Sequence, residues 1–360
     1  MIKEIGSTYF LDPVVVDTLP KKSLKQPDIL HADERYVSTC RSAIGLCLDT
    51  LSDARKVALL PAFTCESVLG PFLKRGYVVY PYPIGRDLHI HWESFSQKVE
   101  EVKPSVILTH PYFGFNSTKE LREHVAELRE SGIIMIEDMT QSMFSSFEPL
   151  PTNFHVGSIR KWMPVPDGAF TTSPANCTDE DTELANAKLK AFSEKGDYLL
   201  HGNGEKAEFR KDFGIAEGIL DSREHAYSMS SASREIFASI DIDWMKKTRW
   251  NNYFHLDYTI SQNPILSDNL QVVFSNSARG ICPFHFTVMV KEGRRELQQY
   301  LASNDIYATV IWGCPEKFVQ LIDEDARFIY EHVLCFHVDQ RYDEQDMDRI
   351  INVLNDYFTK

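Results

Sequence analysis

The sequence contains no Cys-x-x-Cys pair. Its seven cysteines, Cys40, Cys47, Cys65, Cys177, Cys282, Cys314 and Cys335, are odd in number and scattered, which argues against a disulfide framework or a structural zinc site. An apolar run long enough to cross a bilayer is also missing, and the opening Met1-Ile2-Lys3-Glu4-Ile5-Gly6 lacks the hydrophobic core of a secretory signal. A protein of the reducing cytoplasm, without a membrane partner, is expected. Blocks of basic residues are absent too. With 38 Lys and Arg against 52 Asp and Glu, the formal net charge is −14, so the electrostatic footprint of a nucleic-acid binder is lacking. A phosphorylated ligand is still permitted, because the field in a cleft is set by nearby groups. His110, His155 and His337 do not stand at ligand spacing with a third donor on a shared element, so no metal site is expected.

What is present is a chain of 360 residues, 43% hydrophobic, long enough to bury a substantial core in two domains. Residues 1–30 carry Pro13, Pro20 and Pro27 and are expected to form an arm. Beyond them short apolar runs alternate with helix-length stretches. The runs are Val57 to Leu60, Tyr77 to Tyr80, Val106 to Thr109 and Ile133 to Ile136, and the stretch from Ser117 to Ser131 has Leu121, Val125 and Leu128 at helical spacing. Such alternation predicts an α/β fold with a mostly parallel sheet wrapped by helices. Residues 31–233 are assigned to this large domain. Within it, 178–230 are expected to hold helices and a mobile loop, broken at His201-Gly202-Asn203-Gly204. Residues 234–360 are expected to form a smaller α+β domain. Its predicted elements are a long helix from Arg234 to about Leu256, strands at Gln271 to Phe274 and Phe284 to Val290, a helix from Lys291 to Asn304, a strand from Ala308 to Trp312 and a closing helix from Glu344 to Phe358.

The most informative residues are Ile133-Ile134-Met135-Ile136-Glu137-Asp138-Met139-Thr140-Gln141 and, downstream, Ser158-Ile159-Arg160-Lys161-Trp162. The first reads as a buried parallel strand delivering a carboxylate at its C-terminal end, where ligands of open α/β sheets bind. The second offers a lysine nucleophile. A lysine that forms a Schiff base with pyridoxal phosphate, plus an aspartate that keeps the pyridine nitrogen protonated, is the minimum apparatus for using that ring as an electron sink. Burial of Lys161 is expected, since burial disfavours an ammonium and frees the amine near working pH. Thr39-Cys40-Arg41-Ser42-Ala43-Ile44 feeds the start of a helix, whose unpaired N–H groups suit an anion such as a phosphate. Arg41 could reach that phosphate itself; alternatively Ser42 is an ordinary helix cap and Arg41 a surface charge.

In the order strand, Asp138, Gln141, Ser158, Lys161 and turn Pro164-Val165-Pro166-Asp167-Gly168, the chain resembles fold-type-I, pyridoxal-phosphate-dependent aminotransferases of the DegT-like branch, which includes nucleotide-sugar aminotransferases. The resemblance runs from about Ser38 to about Tyr357. It implies the fold-type-I architecture, a seven-stranded type of sheet, with Lys161 as the Schiff-base residue. Asp138 and Gln141 would lie against the pyridine ring, and Ser158, Ser42 and Arg41 would hold the phosphate. Where the family has Ser-Gly-Thr, this chain has Cys40 at the glycine and Arg41 at the threonine. Pro61-Ala62-Phe63-Thr64-Cys65 resembles the family's Pro-Ser-x-Thr-aromatic string, but Cys65 occupies the aromatic position. Phe63, or Tyr112 from Pro111-Tyr112-Phe113-Gly114-Phe115, would then supply the stacking ring, unless both are simply core. Tyr112, Tyr307 and Trp312, with Gln340-Arg341-Tyr342, resemble substrate-side segments.

The function implied is transfer of an amino group from a donor such as glutamate to a keto acceptor, plausibly a nucleotide-linked keto sugar, by a homodimer. Two alternatives stay open: a lyase or dehydratase on the same scaffold, and a catalytically silent regulatory protein.

Overall fold

The computed structural model describes all residues except 1–3, 15–28, 30–33, 52–54, 224 and 276–279. Pro20 and Pro27 of the expected arm lie outside the described residues. The chain forms two compact units, one built mainly of Ser7–Leu51 and Phe154–Asp241, the other of Glu4–Gly6, Ser52–Asn153 and Ile242–Lys360. Asp138 belongs to the second and Lys161 to the first.

In the Asp138-bearing unit, the strand Val57–Pro61 lies between Val78–Tyr82 and Val106–Thr109, and Ile134–Asp138 follows Val106–Thr109, all parallel. Val106–Thr109 is buried along its whole length, as strands covered on both faces by crossover helices must be. Helices Glu66–Lys74, Trp92–Val102 and Val125–Glu130 make the crossovers. The α/β class predicted from the alternation is therefore the one observed. The helix predicted over Ser117 to Ser131 is shorter: a 3-10 turn, Lys119–Leu121, precedes Val125–Glu130. Tertiary contacts outrank helical spacing there. Trp92 stacks on His124 at 3.5 Å, and Glu120 accepts from the Trp92 backbone N–H at 3.0 Å.

The C-terminal residues of this unit add an antiparallel sheet of Leu270–Val272, Phe286–Val290 and Val333–Phe336. Around it stand helices Ile242–Gln262, Arg294–Ser303, Glu324–His332 and Glu344–Phe358. Glu344–Phe358 matches its predicted span because it carries a capping box, Asp343 with Asp346. The predicted helix from Arg234 is two helices, Ser231–Ser239 and Ile242–Gln262, parted where Ile240 turns extended. The predicted Ala308 to Trp312 strand is reduced. Ile306–Tyr307 pairs with Ile5–Gly6, and Thr309 makes one isolated bridge to Cys335.

The Lys161-bearing unit orders its strands Phe154–Gly157, Ala169–Thr171, Arg35–Val37, Tyr227–Ser228 and Thr178–Glu180. These pairs are antiparallel except the last. A helical hairpin follows, Thr182–Gly196 continued by a π turn Asp197–His201, then Lys206–Ser222. The break predicted at His201-Gly202-Asn203-Gly204 is where the hairpin reverses: Gly202 and Gly204 both take φ +74°, a conformation glycine adopts without strain. Lys195, almost wholly buried, donates to the Thr8 carbonyl at 2.6 Å and ties residues 7 and 8 to the hairpin.

Candidate functional site

Lys161 ends a single 3-10 turn, Ile159–Lys161, that follows the strand Phe154–Gly157. The turn is locked from two sides. The Gly168 carbonyl accepts from Ile159 N at 3.0 Å and Arg160 N at 3.3 Å, while Gly168 N donates to the Ser38 carbonyl at 2.7 Å. Gly168 has φ +132°, a backbone conformation that strains any residue with a side chain, and this favours glycine at position 168. On the other side Trp162 is completely buried, and its carbonyl accepts from the Tyr9 hydroxyl at 2.9 Å. Truncating a buried aromatic of that size costs about 3–5 kcal/mol, which makes the tryptophan a firm anchor. Between these locks Lys161 itself is exposed, whereas Ser158 is buried. The expected burial of Lys161 is thus overturned: a one-turn element with Ile159 and Trp162 facing the core leaves its lysine pointing outward.

Thr39, not Ser42, caps the helix Cys40–Asp49. Its hydroxyl accepts from Ser42 N at 3.0 Å and lies 2.9 Å from the Ser42 hydroxyl. Arg41, one residue earlier, pairs with Asp221 at 2.8 Å. Asp221 stands four residues after Glu217 on Lys206–Ser222, and so on the same face. Glu217 in turn accepts from the buried Lys188 of the facing helix Thr182–Gly196. Burial pushes the Glu217 carboxyl up. The charge of Arg160, the hydrogen bond and charge of Lys188, and the charge of Lys161 outweigh it, and the carboxyl ends below its ordinary value.

Asp138 ends the strand Ile134–Asp138, nearly buried, and accepts from Thr140 N at 2.9 Å. Its neighbour Glu137 is pushed up to about 8 by burial, although it accepts from Leu150 N at 2.9 Å. Gln141 accepts from Phe113 N at 2.9 Å and supports the tight loop in which Phe113 and Gly114 take positive φ. Tyr112, in the same loop, donates its hydroxyl to the Phe63 carbonyl at 2.6 Å.

An aromatic cluster forms around Phe63. Its ring centroid lies 5.6 Å from that of Tyr112, 5.0 Å from Trp312 and 5.0 Å from Tyr330, distances typical of attractive aromatic pairs. His110 joins it, 4.6 Å from Tyr112, with Nε2 3.1 Å from the Thr64 hydroxyl. Burial lowers this imidazole to about 3, so it is neutral. Phe63, Tyr112 and Trp312 are thus brought together in one unit. Tyr307 is placed differently, beside Gly6 in the two-residue pairing of Ile306–Tyr307 with Ile5–Gly6.

The Gln340-Arg341-Tyr342 segment is engaged within the fold. Gln340 accepts from the buried Arg249 at 3.0 Å, Arg341 clasps Asp339 with two bonds of 2.8 Å, and the Tyr342 hydroxyl accepts from Gly6 N at 2.7 Å. Sequence reading missed the buried Arg249 and Lys188, and the Glu217 partner of Lys188, because nothing local distinguishes a buried charge from a solvated one until its distant partner is known. Among the described residues, no group of three or more His, Cys, Asp or Glu could hold a metal ion.

No family model matches the sequence, and no curated protein does. Solved structures do match, over almost the whole chain. Helicobacter pylori PseC, an aminotransferase involved in the biosynthesis of pseudoaminic acid, is 15% identical, with 99% of this chain and 100% of that one covered and a TM-score of 0.68. A candidate sugar aminotransferase, Spr1654 from Streptococcus pneumoniae, in its PLP form, is 13% identical, with 99% of each covered and a TM-score of 0.68. A DegT DnrJ EryC1 StrS aminotransferase from Brucella abortus is 16% identical, with 98% and 92% covered and a TM-score of 0.63. The chain has the fold of these aminotransferases.

Proposed function

We propose that the protein is a pyridoxal-phosphate-dependent aminotransferase that moves an amino group from a donor such as glutamate to a keto acceptor, of which a nucleotide-linked keto sugar is the favoured class. The observation that carries this is Lys161, an exposed residue on a turn fixed by Gly168 and Trp162, in a chain whose fold is shared end to end with aminotransferases.

The donor set fits the cofactor. The primary amine of an exposed lysine suits its carbonyl, a nearly buried carboxylate at a strand end suits a ring N–H, and a hydroxyl-capped helix start with an adjacent arginine suits a phosphate dianion. When bound, pyridoxal phosphate supplies an electron sink next to the substrate's Cα. Lys161 would hold the cofactor covalently and carry protons to and from the substrate carbon. Asp138 would hold the proton on the ring nitrogen, its carboxylate kept in place by Thr140 N. Gln141 would lie against the ring, with Phe63 or Tyr112 on its face. Ser158, Ser42 and Arg41 would hold the phosphate, and for Arg41 this means leaving or sharing Asp221, an exchange open to a surface pair worth at most about 1 kcal/mol. Tyr307 and Trp312 are carried as substrate-side residues.

In this proposal residues 1–30 are an arm, 31–233 the cofactor domain and 234–360 the small domain, and the active form is a homodimer in the cytoplasm. The test is a half-reaction: protein loaded with pyridoxal phosphate is mixed with single amino donors, and release of the matching keto acid is measured. Stoichiometric 2-oxoglutarate from glutamate, or the corresponding acid from another donor, is expected. No keto acid from any donor, in protein that has taken up the cofactor, would exclude a transaminase and favour the lyase or the silent alternative.

A further inference from the structure

Lys161 closes a turn of three residues, Ile159–Lys161. So short an element is not stable by itself, because nucleating a helical turn is unfavourable, and the carbonyls at its end must be satisfied from outside it. Trp162 N makes the closing bond, to the Ile159 carbonyl at 2.9 Å. The Trp162 carbonyl then accepts from the Tyr9 hydroxyl, also at 2.9 Å. A side chain from near the start of the chain thus holds the residue that directly follows Lys161.

Tyr9 is itself gripped on both sides, by the helix Thr182–Gly196. Lys195 of that helix, 1% exposed, donates to the Thr8 carbonyl at 2.6 Å and to the Thr8 hydroxyl at 3.4 Å, and also bonds the Ser7 hydroxyl. Burying an ammonium is costly unless it is hydrogen-bonded, and bonds from an ionised donor are about twice as strong as neutral ones, so residues 7 and 8 are firmly placed. Beyond Tyr9, Leu11 N donates to the Phe192 carbonyl at 3.2 Å. A Cβ built at Gly196 would stand 1.9 Å from the Leu11 carbonyl oxygen, a backbone atom. The missing side chain at Gly196 is therefore what lets the two backbones approach.

We propose that residues 7–11 are a strap running from the helical hairpin to the lysine turn, with Tyr9 as a positioning residue for Lys161. The Tyr9 hydroxyl fixes the Trp162 carbonyl, and through it the backbone from which the Lys161 side chain projects. Completely buried Trp162 anchors the turn from the core side, and the strap sets where that anchored turn ends. The inference deepens the proposed function and rests on Lys161 being the reactive amine, but the ordering of the turn is readable without cofactor.

The test is Tyr9→Phe, which removes one oxygen and keeps the ring. In cofactor-free protein, hydrogen exchange read by mass spectrometry should show the peptide covering 158–162 exchanging about two- to tenfold faster, as loss of one hydrogen bond implies, while peptides of the hairpin keep their wild-type rates. Reaction rates fall steeply when a nucleophile is misplaced, so capture of pyridoxal phosphate by Lys161, followed by borohydride quenching at successive times, should slow by about two- to tenfold. Unchanged exchange in 158–162 overturns the inference, since Tyr9 would then act through its ring alone. Exchange that quickens equally in every peptide overturns it as well, because the hydroxyl would then serve only global stability. Faster local exchange with unchanged capture would reduce Tyr9 to a structural cap and refute the positioning role. Should Tyr9→Phe not fold, Lys195→Met, which cuts the strap from the hairpin and leaves the Tyr9 hydroxyl in place, decides by the same two readouts. Failure of the proposed function would appear separately, as absence of any pyridoxyl group fixed to Lys161 in wild-type protein, and the exchange measurement would then decide alone whether the strap orders the turn.

Discussion

Replacing Glu137 with glutamine should abolish a specific pH dependence of stability. The side chain is almost fully buried on the strand that ends at Asp138, with one oxygen accepting from Leu150 N at 2.9 Å. Burial carries its pKa from 4.5 to about 8, with the charge of Asp138 adding to the rise and the Leu150 bond and Arg122 opposing it. In the folded protein Glu137 is therefore protonated at neutral pH, while in the unfolded chain it is ionised. Between the two values the native state binds more protons than the unfolded state, so stability falls as pH rises. Its contribution is greatest below about 4.5 and fully lost above about 8. The slope is roughly 1.4 kcal/mol for each pH unit in that window, large against a typical total stability of about 5–15 kcal/mol. Glutamine copies the protonated acid in shape, keeps an acceptor for Leu150 N and never ionises. Urea unfolding of both proteins at several pH values from 5 to 8 is the assay. The stability advantage of Glu137→Gln should grow steadily across this range. Parallel curves for the two proteins would show that Glu137 is ionised in the native state and that the strand end tolerates a buried charge.

The opposite sign is expected at His110, which burial holds neutral down to about 3 against an ordinary 6.5. There the unfolded state binds the extra proton, so stability is lost as pH falls from about 6.5 toward 3, and His110→Gln should flatten that acid limb in the same urea assay; an unaltered limb would contradict a neutral native imidazole. Changing Asp138 to asparagine, which removes the charge but keeps the shape, should lower turnover by several orders of magnitude, at about 1.4 kcal/mol per factor of ten, with a smaller loss of cofactor binding. Steady-state kinetics at saturating pyridoxal phosphate checks this, and near-wild-type turnover would show that another group faces the ring nitrogen.

The parallel strands were legible because a strand covered on both faces must be apolar throughout, as Val106 to Thr109 is. The helix Glu344–Phe358 was legible through its strong amphipathic spacing and its acidic cap. Where long-range contacts decide, the sequence was less informative. The strand expected over Ala308 to Trp312 yields to pairing of Ile306–Tyr307 with Ile5–Gly6, near the other end of the chain. Burial of Lys161 was expected from its role, but a lysine closing a single turn goes where that turn's apolar residues do not, and Ile159 and Trp162 take the core side. At Thr39-Cys40-Arg41-Ser42 the helix start was correct, while the identity of the cap and the Asp221 partner of Arg41 required a helix far along the chain. The same holds for Lys188 and Glu217, paired across a hairpin whose individual charges look like any solvated face.

Reduction with borohydride is the decisive experiment. Wild-type protein incubated with pyridoxal phosphate, reduced, digested and sequenced by mass spectrometry should carry one pyridoxyl group per chain, on Lys161 within Ser158-Ile159-Arg160-Lys161-Trp162. Lys161→Ala should fold normally and carry none. A pyridoxyl group fixed to a different lysine in the wild type, or one retained in Lys161→Ala, would contradict the assignment of Lys161 as the residue that holds the cofactor.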